Sequence, residues 1–386
     1  MIAAPFSLAI PTRLRFGMGV RREVGAEAAA FGRDAALVTG SSFASNAAAA
    51  AIEESLGAAG VRITIRIQGR GEPDDEAVRV AASELAARRP AVIVAVGGGS
   101  VLDLAKAAGA VLDGPDRLAA LLGGERMEAP GPIPVIALPT TSGSGAELSH
   151  GAIVLDRAAG RKRGIRGPGV AARVALVDPE LAMSAGPGVT ATAGFDAVAH
   201  AIETAVSRAA GPLTATLSGD ALRRLLAAIP VALREPADVE ARTECAYAAA
   251  LMGINLASST TCLPHRLQYP LGALTGTAHA RGVAALFPAW LERTLVAAPD
   301  RLARLSIAAG LAPAGTPDDA AARALVTRIR EHLRATGMRA GIRDLGVAED
   351  DIADLVAAVE GTLTNDPGPV APDDLAALYR ASLDAA

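Results

Sequence analysis

The sequence contains few aromatic residues, cysteines or lysines. Aromatic residues make up 3% of the 386 residues, and lysine occurs only at Lys106 and Lys162, although lysine and arginine together number 37. The two cysteines, Cys245 and Cys262, are too few for the disulfide frameworks that stabilise small secreted proteins. We therefore expect both cysteines to remain reduced, in a cytoplasmic protein.

Other absences restrict the partners. The formal net charge is −4, so no basic excess points to nucleic acid or to an anionic membrane surface. No run of about 18 uncharged apolar residues occurs, which argues against a membrane-spanning helix. The N-terminal segment MIAAPFSLAIPTRL lacks the basic and apolar regions of a secretory signal. The length of 386 residues suggests two domains with ample material for buried cores.

The first half of the sequence alternates strand and helix patterns. DAALVT (34–39) and AVIVAV (91–96) have the composition of buried strands, VRITIRI (61–67) alternates like a half-buried strand, and amphipathic helical segments separate them. This order predicts a parallel β-sheet covered by helices. From about residue 186 the sequence is rich in alanine and leucine, with helical patterns throughout. We therefore predict an α/β domain over residues 1–185 and an all-helical domain over residues 186–386.

A glycine loop follows the strand predicted at 91–96. Gly97, Gly98 and Gly99 allow close approach of the backbone to a phosphate, and the helix beginning near Ser100 offers its N–H groups and its positive dipole end. Ser100 and Asp103 have the spacing of a helix capping pair. The loop is not G-x-G-x-x-G, and glycine turns after strands are common, so this loop alone is also compatible with an ordinary turn.

A second loop, PTTSGSG, follows the apolar strand pattern PVIALP. Thr140, Thr141 and Ser144 carry hydroxyl groups that can bond a ribose, a pyrophosphate or a carboxamide. An ordinary turn rich in serine and threonine has the same composition. Because parallel strands end at one edge of a sheet, we expect both loops to line one crevice there.

Two residue pairs in the second half have the spacing of metal ligands. Asp196 and His200 are four residues apart, one turn along a single helix face, and His265 and His279 are fourteen residues apart. One carboxylate and three imidazoles suit a divalent cation. Each residue alone is more simply a hydrogen-bonded histidine or a surface pair, so the prediction depends on the four together with the loops upstream.

The ordered motifs resemble those of the iron-containing, or group III, alcohol dehydrogenases. They are GGGS-x2-D-x2-K, PTT-x-G-x-G-x-E, DP, G-x-D-A-x2-H-A-x-E and H-x13-H, and the likeness extends from the opening PTRLRFG to the closing TNDPGPVAPDDLAALY. The resemblance implies a dehydroquinate synthase-like architecture, in which a dinucleotide-binding α/β domain precedes an all-helical domain that binds metal and substrate, and a homodimer formed through an N-terminal strand. It also implies NAD or NADP and Fe²⁺ or Zn²⁺ as cofactors. The metal ligands that the resemblance implies are Asp196, His200, His265 and His279. The cofactor-binding residues that it implies are Gly97, Gly98, Gly99, Ser100, Asp103, Thr140, Thr141 and Ser144. Lys162 is a catalytic candidate.

The activity implied by the resemblance is hydride transfer between NAD(P)H and a small aldehyde or ketone. Three alternatives remain open. They are a related enzyme resembling glycerol-phosphate dehydrogenase or dehydroquinate synthase, a metal-free reductase resembling maleylacetate reductase, and a non-catalytic nucleotide- or metal-binding protein. A metal assay separates the second alternative, and nicotinamide binding without turnover would support the third.

The sequence departs from the family pattern beside the predicted ligands. The usual H-x3-H-x9-H has a middle histidine thought to help a proton leave, and Tyr269 occupies that position here. A phenol can relay a proton, or the ring can simply pack against the substrate. Arg266 and Arg281 replace residues that are commonly small or neutral. Paired guanidinium donors suit a carboxylate or phosphate, so we expect an anionic substrate, although a structural or solvated arginine is the alternative.

The end of the second predicted strand bears on cofactor choice. Members that prefer NAD often carry an acidic residue there, which bonds the ribose 2′-hydroxyl and repels a 2′-phosphate. This chain has Gly40, Ser41 and Ser42 instead. We therefore predict that Gly40 and Ser41 contact the cofactor and that NADP is favoured over NAD.

Overall fold

The structure is a computed structural model that describes residues 6–41, 43, 48–112 and 115–385, and Ser42 lies outside these residues. The chain divides into two compact units. The N-terminal unit is Ala9–Gly186, and the C-terminal unit contains residues 187–385 together with residues 6–8. Among the described residues, every helix is too short or too polar to cross a bilayer.

The N-terminal unit is built on a six-stranded parallel sheet with the strand order β1-β8-β5-β4-β2-β3. Strands β6 and β7 form a separate antiparallel hairpin. The strands are β1 (Arg13–Phe16), β2 (Asp34–Thr39), β3 (Arg62–Gln68), β4 (Val92–Gly97), β5 (Val135–Pro139), β6 (Gly151–Asp156), β7 (Arg161–Arg166) and β8 (Val174–Val177). The helices are α1 (Val24–Ala29), α2 (Ala50–Ala58), α3 (Asp75–Arg88), α4 (Gly99–Ala110), α5 (Pro115–Leu122) and α6 (Pro179–Ala182).

Both faces of the sheet are buried. Ile93 and Ala95 of β4 join a core that includes residues of α3 and α4, while Val92 and Val94 join a second core that includes residues of α1 and α2. Because alternate side chains of a strand point to opposite faces, a strand covered on both sides must be apolar at every position. The uninterrupted apolar composition of β4 follows from this position in the sheet.

The C-terminal unit is helical and packs around one apolar core. Its helices are α7 (Pro187–Val206), α8 (Pro212–Arg234), α9 (Val239–Asn255), α10 (Leu263–Thr275), α11 (His279–Ala297), α12 (Pro299–Ala308), α13 (Asp318–Ala335), α14 (Ile352–Ala357) and α15 (Pro372–Ala381). Large aromatic side chains occupy the centre of the core, where the Phe195 and Phe287 rings meet edge to face with centroids 5.5 Å apart. The predicted combination of a parallel α/β part and a helical part is confirmed.

Helix α10 is fixed at its start by two buried carboxylates. The backbone N–H of Cys262 donates to Glu203 at 2.6 Å, and that of Leu263 donates to Asp366 at 3.3 Å. These N–H groups lack partners within the helix, and negative charge is favourable at a helix N-terminus. The helix ends at Gly276, whose φ of 68° favours glycine, and the chain turns there into α11.

Candidate metal and cofactor sites

Asp196, His265 and His279 converge in the C-terminal unit. Asp196 lies in α7, His265 in the first turn of α10, and His279 at the first position of α11. The Nε2 atoms of His265 and His279 lie 3.5 and 3.7 Å from Asp196 Oδ1. One ligand atom from each residue lies within 4.8 Å of the other two. We call these three residues the metal cluster.

His200 lies beside the metal cluster, one turn after Asp196 on α7. Its ring stacks on that of His265, with centroids 4.7 Å apart and planes 20° from parallel. His200 is buried, and its Nδ1 has no hydrogen-bond partner among the described residues. The structure therefore brings all four predicted ligands together, with three of them sharing a centre and His200 against the His265 ring.

Two buried polar atoms of the metal cluster have no hydrogen-bond partner in the described part of the chain. Asp196 Oδ1 and His265 Nε2 are buried and accept or donate no hydrogen bond within the described residues. Buried polar atoms without partners are destabilising and therefore uncommon. A divalent cation would accept a lone pair from each atom, and one carboxylate oxygen with imidazole nitrogens is a suitable donor set for it. The residues present fit a divalent metal ion.

The charges of the metal cluster also favour a cation. Burial alone would raise the pKa of Asp196, but His200, His265 and His279 outweigh it and hold this pKa well below its ordinary value. Burial would lower the pKa of His265, but Glu203 and Asp196 outweigh burial and raise this pKa to about 10. The buried carboxylates thus stabilise positive charge here, and a divalent metal ion would supply such charge.

Glu203 orients His265 from behind. It is fully buried in α7, with Oε1 2.6 Å from His265 Nδ1 and Oε2 accepting the Cys262 N–H. A carboxylate at Nδ1 keeps the proton on that nitrogen and turns the Nε2 lone pair to the metal cluster. Glu203 was not among the predicted site residues. It closes the motif G-x-D-A-x2-H-A-x-E, seven residues after Asp196 on the same face of α7, and this position was the available signal.

Gln268 plays the corresponding part for His279. Its side chain is fully buried, and its Oε1 lies 2.6 Å from His279 Nδ1. Gly282 makes room for it, because a Cβ at position 282 would lie 2.8 Å from Gln268 Cγ. Gln268 was not predicted as a site residue, and no sequence signal marks a buried glutamine of this kind.

Tyr269 contacts both the metal cluster and an arginine. Its ring centroid lies 6.0 Å from that of His279, and the Arg266 guanidinium carbon lies 5.8 Å from the tyrosine ring centroid. Arg281, the other arginine predicted to bind substrate, donates instead to the carbonyl of Gly337 at 3.2 Å. It lines a cavity of about 570 Å³ together with Met338.

In the N-terminal unit, the two predicted cofactor loops lie side by side. β4 and β5 are parallel neighbours, with Gly97 opposite Pro139. A Cβ at Gly97 would lie 2.5 Å from Val101 Cβ, and one at Gly99 would lie 2.7 Å from Ser144 Oγ. Only glycine fits these close approaches, so the backbone at the end of β4 and the start of α4 is bare. Bare backbone at a helix N-terminus fits the pyrophosphate of a dinucleotide.

The predicted capping pair of Ser100 and Asp103 is wrong. α4 begins at Gly99, and Gly98 at the N-cap position has no side chain with which to cap it. Asp103 is instead directed away from the helix start, since its Oδ2 accepts the Ile153 N–H at 3.0 Å. Side chains therefore do not occupy the capping position of this helix, as a phosphate site requires.

The two lysines have partners within the N-terminal unit. Lys106 is fully buried, and its Nζ donates to the Ala146 carbonyl at 2.8 Å and to Ser149 Oγ at 3.2 Å, which ties α4 to the second loop. Burial lowers the pKa of Lys106, and Asp103 opposes this effect. Lys162 lies in β7 and pairs with Glu72 at 2.5 Å.

Gly40 closes the end of β2 next to these loops. Its N–H donates to the Val96 carbonyl at 3.4 Å, and a Cβ on Gly40 would make an ordinary contact of 3.4 Å with Val101 Cγ2. The adjacent Ser41 is exposed. A side chain at position 40 is therefore sterically possible, and its absence leaves space beside the glycine loop.

Comparisons with known proteins cover both units. Residues 11–179 match the family model described as iron-containing alcohol dehydrogenase, and residues 190–383 match that of the Fe-containing alcohol dehydrogenase family, C-terminal. The chain is 28% identical over 344 residues to an NAD-dependent methanol dehydrogenase of Bacillus methanolicus, covering 89% of this chain and 90% of that one.

Solved structures of similar fold belong to the same class of enzymes. A 1,3-propanediol oxidoreductase superposes with a TM-score of 0.92 at 26% identity, over 98% of this chain and 100% of that chain. A sulfoacetaldehyde reductase from Bifidobacterium kashiwanohense, in complex with NAD⁺, superposes with a TM-score of 0.87 at 27% identity, over 99% of both chains. The predicted oxidoreductase class, the nicotinamide cofactor and the divalent metal are confirmed. The chain belongs to the iron-containing alcohol dehydrogenase family.

Proposed function

We propose that this protein catalyses reversible hydride transfer between a nicotinamide dinucleotide and a small aldehyde or ketone, using a divalent metal. The observation that carries the proposal is the metal cluster. Asp196 Oδ1 and His265 Nε2 are buried there without a hydrogen-bond partner among the described residues, and Glu203 and Gln268 hold His265 and His279 from behind. Ligands oriented in this way are typical of metal sites. A surface cluster of charged residues would have neither the burial nor the supporting hydrogen bonds.

The proposed metal ligands are Asp196, His200, His265 and His279. The chemistry that a divalent cation supplies at such a site is Lewis-acid polarisation of an alcohol or carbonyl oxygen. Asp196 contributes the negative charge, and neutral imidazoles complete the set. Glu203 and Gln268 fix the proton on the Nδ1 of each partner histidine, so the Nε2 lone pairs need no reorientation when a cation binds.

The proposed dinucleotide site is in the N-terminal unit. We assign the pyrophosphate to Gly97, Gly98, Gly99 and Ser100, and the surrounding contacts to Thr140, Thr141 and Ser144. A bound nicotinamide supplies or takes up the hydride. Asp103 acts by position, because it accepts the Ile153 N–H and so joins α4 to β6, and it lies 3.5 Å from the Lys106 ammonium on the same helix.

Tyr269 is proposed as the proton carrier. Its ring lies against His279, and it occupies the position of the family's middle histidine. A phenol can pass a proton between a reacting oxygen and water. Lys162 remains a candidate for a supporting catalytic role in the N-terminal unit, where its ammonium is held by Glu72.

Four further assignments remain predictions. NADP is favoured over NAD because Gly40 and Ser41 place no acidic side chain at the end of β2. The boundary between the cofactor-binding and metal-binding domains is assigned near residue 186. A homodimer formed through the N-terminal strand agrees with the position of β1 at one edge of the sheet. We also retain the cytoplasmic location.

The direct test is turnover by the purified protein loaded with Fe²⁺ or Zn²⁺. We expect nicotinamide absorbance to change with members of a panel of small aldehydes and alcohols, and NADPH to give higher rates than NADH at equal concentration. His265→Ala should lose both metal content and turnover. Turnover that survives complete metal removal would favour a metal-free reductase, and retention of both properties by His265→Ala would remove the assigned site.

A further inference from the structure

Arg266 is a buried cation with little hydrogen bonding. It follows His265 in α10 and is 5% exposed, and Gly361 packs over its stem with a notional Cβ only 3.4 Å from Arg266 Cδ. Its Nε is buried without a hydrogen-bond partner, and its Nη2 makes one long contact of 3.4 Å with Thr260 Oγ1. A guanidinium has five N–H donors, so most of its bonding capacity is unused within the described residues.

Two buried carboxylates at the start of α10 are engaged by other partners. Glu203 holds His265 and the Cys262 N–H. Asp366 accepts hydrogen bonds from Arg293 at 2.6 Å and from the Trp290 Nε1 at 2.9 Å. Among the residues that the structure describes, Arg266 forms no ion pair. An uncompensated buried charge is strongly destabilising, which makes its retention here informative.

The charges around the start of α10 do not cancel once a metal is bound. Three buried carboxylates are present, namely Asp196, Glu203 and Asp366. Against them stand the guanidinium groups of Arg266 and Arg293 and the two charges of a divalent cation, while ligand histidines are neutral. Among these groups one positive charge is therefore in excess, and Arg266 is the cation that has no ion pair with a described residue.

We propose that Arg266 binds the anionic end of the substrate, a terminal carboxylate or sulfonate on a short aldehyde or alcohol. The proposal rests on the proposed function and adds the substrate class to it. Tyr269 contacts both the Arg266 guanidinium and His279, so the anion site adjoins the metal cluster. A short aliphatic chain can then present its oxyanion to the arginine and its carbonyl or hydroxyl group to the metal cluster. Parallel N–H donors of a guanidinium match both oxygens of such a group.

Arg281 does not share this environment. Its guanidinium is partly exposed and already donates to the Gly337 carbonyl. Water and backbone carbonyls can accept the hydrogen bonds of a partly exposed guanidinium without a ligand. The sequence offered no reason to prefer one of the two arginines. Their burial and hydrogen bonding differ, and the substrate anion is therefore assigned to Arg266.

The test compares matched substrates in the metal-loaded protein with saturating NADPH. The substrates are 4-oxobutanoate, the sulfonate of the same chain length, and the neutral methyl ester of 4-oxobutanoate. We expect wild type to prefer the anions in kcat/KM, and Arg266→Gln to lower the ratio of anion to ester about 10- to 100-fold, the range of a charge-assisted hydrogen bond. Arg266→Lys, which retains the charge, should recover part of the ratio. The exposed Arg323, paired with Asp319, provides the control Arg323→Gln.

A second readout does not depend on turnover. Titration calorimetry of the metal-loaded protein with butanoate should give binding heat that butanamide does not give, and Arg266→Gln should lose it. Metal content and melting temperature are measured for each variant, and if Arg266→Gln does not fold, the wild-type titration and Arg266→Lys decide the question.

Several outcomes would overturn the proposal. Equal kcat/KM for anion and ester in wild type, together with no butanoate heat, would make Arg266 a structural cation, while turnover of the ester would leave the proposed function intact. A raised Kd for NADPH in Arg266→Gln, with an unchanged anion-to-ester ratio, would assign the arginine to a cofactor phosphate. Absence of nicotinamide binding and of turnover with every substrate would refute the proposed function, and the butanoate titration would still report on the anion site.

Discussion

Replacing Glu203 with glutamine should weaken metal binding while leaving the helical unit folded. Each carboxylate oxygen of Glu203 serves one N–H group, one on His265 and one on Cys262. Glutamine has the same shape but offers a single acceptor, so its NH₂ group must face one of these two donors. If it faces His265, the imidazole proton moves to Nε2, and that nitrogen can no longer bind a cation.

The size of the effect follows from the position of Glu203. Removing a partner of this kind behind a ligand histidine typically lowers metal affinity 10- to 100-fold, or about 1.4 to 2.7 kcal/mol. The variant also removes one buried negative charge from the surroundings of the cation, so we expect the upper part of this range. His265 should at the same time lose its elevated pKa, because Glu203 is one of the two groups that raise it.

The assay is competition for Zn²⁺ between the metal-free protein and a chromophoric chelator at pH 7. Glu240→Gln is the matched control, since Glu240 is exposed in the first turn of α9 and the same charge is removed. We expect the control to bind Zn²⁺ like wild type. A Glu203→Gln variant that is folded and binds Zn²⁺ within twofold of wild type would refute the reasoning about the histidine proton.

Three further predictions concern other parts of the molecule. Tyr269→Phe should lower turnover far more than cofactor affinity if the phenol carries a proton, and equal losses, or none, would indicate packing only. Gly40→Asp should shift preference from NADPH to NADH, because position 40 has space for a side chain and a carboxylate there repels a 2′-phosphate; an unchanged ratio of rates would remove Gly40 from the cofactor site. His332 is fully buried, neither of its ring nitrogens has a hydrogen-bond partner among the residues the structure describes, and burial lowers its pKa from 6.5 to about 4. The unfolded chain therefore binds this proton at higher pH, so the contribution of His332 to stability is complete above pH 6.5 and is lost as pH falls towards 4. In urea unfolding, the free energy of unfolding should fall less between pH 7 and pH 5 in His332→Leu than in wild type, by about 2 kcal/mol. An equal fall in both proteins would contradict the lowered pKa of His332.

The composition of the sequence was sufficient to predict the parallel sheet but not the separate hairpin of β6 and β7. The segment DAALVT became β2 with the predicted bounds, because a strand buried on both faces must be apolar throughout. The hairpin of β6 and β7 was not predicted. β7 has the sequence RKRGIR, whose polar residues hide its strand character, so the sequence did not indicate that it pairs with β6 across a short turn.

The sequence likewise predicted some contacts of the candidate site and not others. Helical spacing was enough to relate Asp196 to His200, because that relation is local. The partnership of Glu203 with His265 spans 62 residues and depends on the packing of α7 against the start of α10. The contact of Gln268 with His279 depends on the turn at Gly276, which returns the chain to the preceding helix. Spacing places Glu203 on the same face of α7 as Asp196, but the pairing of each supporting side chain with its histidine leaves no periodic pattern in the sequence.

The absence of a side chain at Gly282 links two positions in evolution. A methyl group there would displace Gln268, which would then release the His279 ring, so any substitution at 282 has to be preceded by a shorter residue at 268. Shortening residue 268 first meets no steric obstacle at Gly282, but it removes the partner of His279 Nδ1, so another group must then hold this ring. Descendants of this chain should therefore vary at 268 before they vary at 282, and lineages with a bulkier residue at 282 should orient the second imidazole by some other donor or acceptor.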